Sequence, residues 1–230
     1  MADADIILTF WQAAQGPGAG RAKRLLAAAG EADGAALTLG EATRRLIALR
    51  GRLVGEAISA VANCPACGTV NETRFVPADL VGAAEGGPVM VEAEGWRATA
   101  RPLTLADMDA AAASAGPGVA ADLLRARAIT AVEPPEGGGE APAALIAAVE
   151  AALDAADPLA DARIGLVCAG CAQSWEVAFD AAALLTVELD AAARRAMAEV
   201  ATLARAYGWS EAEILGMPAA RRQIYLDLAG

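Results

Sequence analysis

The chain contains no histidine. That absence removes the commonest general base and the usual nitrogen donor of catalytic metal sites. Aromatic residues make up only 4% of the chain, and lysine and arginine number 18 against 29 acids, for a net charge of -11. With no basic cluster against that background, non-specific nucleic-acid binding is disfavoured, because phosphate neutralisation needs a basic face. No apolar run reaches the roughly eighteen residues that a membrane span needs. The start, MADADIILTF, carries acids where a secretory leader has its basic end, and its apolar run stops at Ile6 to Phe10. No P-loop, dinucleotide glycine fingerprint or nucleophile elbow occurs. A soluble, cytoplasmic and non-enzymatic chain is expected, with no small-molecule substrate.

Alanine fills much of what remains, at more than a quarter of all residues, which favours helix. The cysteines carry the chemistry. Cys64, Cys67, Cys168 and Cys171 form CPAC and CAGC, with no cysteine left over. Two such pairs supply the four thiolates of a tetrahedral zinc site, although about a hundred residues separate them, far more than in a compact ribbon. The site must then be assembled by tertiary folding.

A constant offset of 104 residues superimposes Cys64 on Cys168, Cys67 on Cys171, Phe75 on Phe179 and Leu80 on Leu184 without a gap. Strand-like sequence flanks both pairs: AISAVAN and ARIGLV before them, TRFV and WEVAF after them. Each pair is therefore expected at the tip of a short β-hairpin. A redox dithiol at a helix N-terminus, a disulfide and four inert thiols are the competing readings. The gapless repeat and the following strands favour structural zinc. Four thiolates leave no open coordination position, so Lewis-acid catalysis is not expected. The metal would instead clamp two distant hairpins.

Around the cysteines the expected fold class is α+β. Residues 1–36 read as an N-terminal arm with a glycine-rich loop, AAQGPGAGRAK. Residues 37–185 read as the zinc-knuckle domain, and residues 186–230 as a long helix with a helical hook. Leu46, Leu49 and Leu53 mark an amphipathic helix before the first knuckle. A hairpin turning at Glu94-Gly95 is expected next, then helices over TLADMDAAAASAG and GVAADLLRARAIT, the first opened by a Thr104/Asp107 capping box. EPPEGGGEAP reads as a loop, followed by a helix over about 142–156. The longest helix, Ala181 to Tyr207, carries Leu185, Leu189, Ala193, Ala196, Val200, Leu203 and Tyr207 on one stripe. Gly208 stops it, Ser210 and Glu213 cap a short helix, and Pro218 begins a last one with Ile224, Leu228 and Tyr225 on its apolar side. Asp107, Asp109, Asp154 and Asp157 read as solvated caps and faces.

The leader LTLGEATRRLIALRGRLVGEAISAVANCPACG, the middle WRATARPLTLADM, the second knuckle AADPLADARIGLVCAGC and the ending LARAYGWSEAEILGMPAARRQIYLDL resemble, in that order, bacterial phage-tail-like proteins. That family comprises baseplate and baseplate-hub assembly proteins of contractile tails, prophages and extracellular contractile injection systems. The resemblance runs from about Leu37 to the end and implies a non-enzymatic assembly role among tail, hub or spike proteins. It makes Cys64, Cys67, Cys168 and Cys171 ligands of one structural Zn2+. Trp209, Ile214, Leu215, Arg221, Arg222, Tyr225 and Leu226 become partner-facing candidates. Ala172 departs from the pattern, standing where a glycine commonly follows the pair, as Gly68 does in the first knuckle. A thiol-disulfide or redox-sensing protein using the same cysteines is the competing function.

Overall fold

Among the described residues, leucine-rich faces from four helices close the larger of two apolar cores. The computed structural model describes residues 3–16, 20–76, 86–136 and 138–230. The helices are α1 (Ala4–Ala14), α2 (Arg21–Ala28), α3 (Leu39–Leu53), α4 (Leu105–Ala112), α5 (Pro117–Ala128), α6 (Ala143–Ala156), α7 (Ala181–Tyr207), α8 (Glu211–Leu215) and α9 (Ala219–Ala229). The strands are β1 (Ile58–Asn63), β2 (Val70–Phe75), β3 (Val89–Ala93), β4 (Trp96–Ala100), β5 (Ile129–Glu133), β6 (Arg163–Val167) and β7 (Ser174–Ala178). They form antiparallel sheets β1-β2, β3-β4-β5 and β6-β7, an α+β fold as the sequence implied.

The first core joins Ile7 of α1, Leu25 and Leu26 of α2, Leu46 and Leu49 of α3, and Leu185 and Leu189 of α7. Residues 1–36, read as an arm and loop, thus contribute two packed helices, and Arg21 to Lys23 open α2 rather than extend the loop. Neither segment is long enough to be helical by propensity alone; burial against α7 stabilises both. Pro17, Gly18 and Ala19 of the expected loop lie outside the described residues. Along α7 the expected stripe is buried at Leu185, Leu189, Ala193, Ala196 and Leu203, while Tyr207 at its end is exposed.

The second core packs Trp96, Ala98 and Ala100 of β4 against Leu145 and Val149 of α6. β3 and β4 turn through Glu94 and Gly95, both at positive φ, with Ala93 opposite Trp96. That two-residue turn suits the twist of the flanking strands. β5 corrects the sequence reading, which carried the α5 helix through Ile129 and Thr130. The helix ends at Ala128, and the β-branched Ile129 and Val132 pair with β4 instead, with Thr130 taken up at a register shift between them. Tertiary pairing decides such a short apolar run, which periodicity alone leaves ambiguous.

Two carboxylates expected at the solvent are buried. Asp107 closes the capping box with Thr104 and also accepts from Arg101 at 2.8 Å and Arg127 at 3.0 Å. Asp157 accepts the Gly40 N–H at 3.0 Å, capping the start of α3 from 117 residues away. A Cβ on Gly40 would sit 1.6 Å from the Asp157 Oδ1, so the close approach requires glycine. Asp109 pairs with Lys23, and Asp154 is exposed on α6.

The hook follows its sequence signals closely. Gly208 takes a left-handed conformation at φ 71°, Ser210 and Glu213 form a reciprocal capping box, and Pro218 precedes α9. Ile214 and the Arg222 side chain seal the hook against α7, where Arg222 reaches Glu199 at 2.8 Å and the Met217 carbonyl at 3.1 Å.

Arg101 beside Asp107, against the cost of burial, holds the carboxyl well below the usual carboxylate range, helped by the Thr104 N–H and Arg127. A depressed folded-state pKa contributes stability that is present above the unfolded value and lost as pH falls through the folded one. Asp107→Asn should cost about 1–2 kcal/mol at pH 7, because the buried cap loses its charge-assisted hydrogen bonds to the Thr104 N–H and to two partly exposed arginines. In denaturant titrations the gap between wild type and variant should narrow as the pH drops below about 4.

Candidate metal centre

Each cysteine pair is delivered by a hairpin whose turn is fixed by its own backbone. In the first, the Cys64 N–H donates to the Thr69 carbonyl and the Gly68 N–H to the Cys64 carbonyl, both at 2.9 Å. In the second, the Cys168 N–H donates to the Gln173 carbonyl at 2.9 Å and the Ala172 N–H to the Cys168 carbonyl at 3.0 Å. The offset of 104 residues therefore repeats a backbone turn as well as a ligand spacing. Gly68 and Ala172 occupy the same place at φ 74° and 59°, so alanine is held in the left-handed region where the family resemblance led us to expect glycine.

The two turns meet tip to tip. All four Sγ atoms lie within 4.8 Å of one another, with Cys64 3.7 Å from Cys171 and Cys67 3.6 Å from Cys168. The four residues are free cysteines, Cys64 and Cys168 buried and Cys67 and Cys171 exposed. This donor set can hold one metal ion.

The thiols do not share negative charge evenly. The Thr69 hydroxyl and N–H lower Cys67. At Cys168 burial opposes ionisation, but the N–H groups of Cys171 and Gly170 and the neighbouring thiols win, bringing it to about 6. Cys171 receives the Gln173 N–H, yet its sulfur neighbours and burial push it up to about 12. A bare cluster accepts one thiolate readily and the last one reluctantly. A cation removes that repulsion, and its binding would release protons.

Outside the sulfurs, three contacts brace the hairpins. Phe75 and Phe179, the repeated aromatic pair, meet edge to face at 6.0 Å, so the equivalent positions of the two hairpins touch each other. Leu80 lies outside the described residues; its counterpart Leu184 is half-buried on α7. Asn71 reaches across from the first hairpin: its amide donates to the Thr69 carbonyl at 2.8 Å and approaches the Cys168 Sγ at 3.9 Å, while its Oδ1 accepts the Ala169 N–H at 2.9 Å. Beneath the first hairpin, Arg50 forks onto Glu188 of α7 at 2.6 and 2.7 Å and donates to the carbonyls of Gly55, Glu56 and Ala57. Sequence reasoning missed Asn71 and Arg50. The repeat gave no signal for Asn71, whose counterpart is Trp175.

The hook candidates divide between surface and interior. Tyr207 stacks on Trp209 at 4.5 Å, and Tyr225 stands edge-on to Trp209 at 4.8 Å with Arg221 over its ring at 5.7 Å. Leu215 and Leu226 are half-buried. Ile214 and Arg222 are buried in the chain itself and do not face outward. Ile224 and Leu228, assigned from sequence to the apolar side of the last helix, are 60% and 72% exposed. Among the described residues no helix is long and apolar enough to cross a membrane. No family model, curated protein or solved structure matches the chain.

Replacing Ala172 by glycine should relieve the left-handed backbone and raise stability by about 0.5–1 kcal/mol, readable as a higher denaturant midpoint. Asn71→Leu should lower metal affinity about 10–100-fold in competition with a chromophoric chelator, because the second hairpin loses its cross-brace.

Proposed function

We propose that the protein is a zinc-stapled, non-enzymatic assembly component of a contractile phage-tail-like particle. The observation that carries the zinc half is the sulfur geometry. A tetrahedral ion with Zn–S bonds of about 2.3 Å needs sulfur–sulfur edges of about 3.8 Å. Two of the four cross-hairpin edges, at 3.7 and 3.6 Å, are close to that value. An all-thiolate, four-coordinate set suits Zn2+ and fills its coordination sphere, which points to a structural role. The ion holds together two hairpins that are each too small to be stable alone.

The assembly half is supported by the order of motifs that resembles the tail-assembly family, and by the hook. Trp209, Tyr225, Arg221, Leu215 and Leu226, with the exposed Ile224 and Leu228, offer aromatic and aliphatic surface for a tail, hub or spike protein. Ile214 and Arg222 shape that surface from within. The chain acts in the cytoplasm, where such particles are built. A thiol-disulfide function remains the second reading, favoured by the exposure of Cys67 and Cys171.

Metal analysis of the purified full chain should give one zinc per chain, and a strong chelator should lower the thermal midpoint and release the hairpins. A metal-free protein indifferent to chelator would sink the staple. Pull-downs from cells carrying the tail genes should recover sheath, tube, hub or spike subunits; consistent failure to do so would remove the assembly role.

A further inference from the structure

The metal-bearing end differs in character from the rest of the molecule. The stretches Ala57–Asn71 and Ile164–Trp175 contain no Asp, Glu, Lys or Arg, in a chain where 20% of residues are charged. The fold brings the tips of both stretches together around the four sulfurs. Large apolar side chains are left open to solvent there: Val61, Val70 and Val167 are 65%, 60% and 67% exposed. Pro65, Ala66 and Ala169 beside them are exposed too. Valines suit strands because they pack on a neighbour, and these three lie on outward faces of two-stranded sheets without cover among the described residues.

We propose that this knuckle end is a docking surface for a basic, apolar-anchored segment of another protein. The inference rests on the zinc reading for part of its charge. Four thiolates around a divalent cation carry a formal charge of minus two, and neither stretch contains a lysine or arginine to offset it. Cys67 and Cys171 are the exposed members of the set, so that charge lies on the solvent side of the cluster within an apolar collar. The complementary partner brings N–H donors on arginine or lysine to the thiolates and aliphatic side chains to the valines. A second copy is a poor occupant, because it would set two anionic centres face to face on chains that each carry -11. Nucleic acid is excluded by the same sign of charge.

The test uses zinc-loaded full-length protein and a fluorescent peptide of alternating arginine and leucine as the probe. Two control peptides are needed, one with glutamate for arginine and one with serine for leucine. Anisotropy should show binding of the first peptide only. The double variant Val70→Asp, Val167→Asp should weaken it at least tenfold, although it makes the protein more negative. The pair Val119→Asp, Val187→Asp, at exposed positions on helices, should leave it unchanged. Val70→Thr, Val167→Thr, which keeps the strands and adds no charge, should weaken binding several-fold.

Equal binding of the serine peptide, or undiminished binding by both tip variants, would overturn the proposal in favour of general electrostatic attraction. So would a wild-type dimer in sedimentation velocity that the tip variants dissociate, since a second copy would then be the occupant. Zinc content is measured on every sample. Wild-type protein without zinc refutes the staple, whereas full zinc with no peptide preference refutes the docking surface alone.

Discussion

Four sulfur atoms held within 4.8 Å of one another are an electrostatic constraint before they are a binding site. Thiols so crowded resist full ionisation, since each thiolate raises the cost of the next: backbone N–H groups draw Cys168 down while its sulfur neighbours push Cys171 up. Only a cation lets all four carry charge together. Two-stranded hairpins are marginal structures in water, and these two belong to separate sheets. Their mutual placement thus depends on the tips, on the Phe75–Phe179 contact and on the Asn71 brace.

The helical layer explains how the tips can meet. α3 leads into β1, and β7 leads into α7, so one hairpin enters and the other leaves through helices that share a core at Leu46, Leu49, Leu185 and Leu189. Arg50 ties the end of α3, the connection to β1 and Glu188 of α7 with a single guanidinium. At the opposite end of α3, Asp157, lying between α6 and β6, accepts the Gly40 N–H. These buried polar contacts fix orientation where apolar packing alone would allow sliding. Losing one partner of such a contact is costly because the other remains buried.

Local signals were read well where their physics is local. The capping boxes at Thr104 and Ser210, the left-handed stop at Gly208 and the bounds of α7 all follow from hydrogen bonds that span a few residues. The same reasoning failed where a segment acquires its structure from a distant neighbour. Ile129–Glu133 becomes a strand because β4 offers an open edge, and α1 and α2 are helices because α7 offers them an apolar face. Asp107 and Asp157 looked like surface caps because local sequence does not reveal that Arg101 and Arg127 fold onto the first, or that the Gly40 N–H meets one oxygen of the second inside.

The sequence by itself determined the four candidate ligands and the form of each turn, since a Cys-x-x-Cys closed by hydrogen bonds four and five residues apart needs no distant partner. It also determined that the ligands come in equivalent halves, through the repeat of cysteines and phenylalanines at one offset. The tertiary structure decided that the halves face each other, which sulfurs lie nearest across the gap, and which asparagine bridges them. Those features depend on chains about a hundred residues apart being packed against common helices, and no periodicity or local propensity encodes that distance.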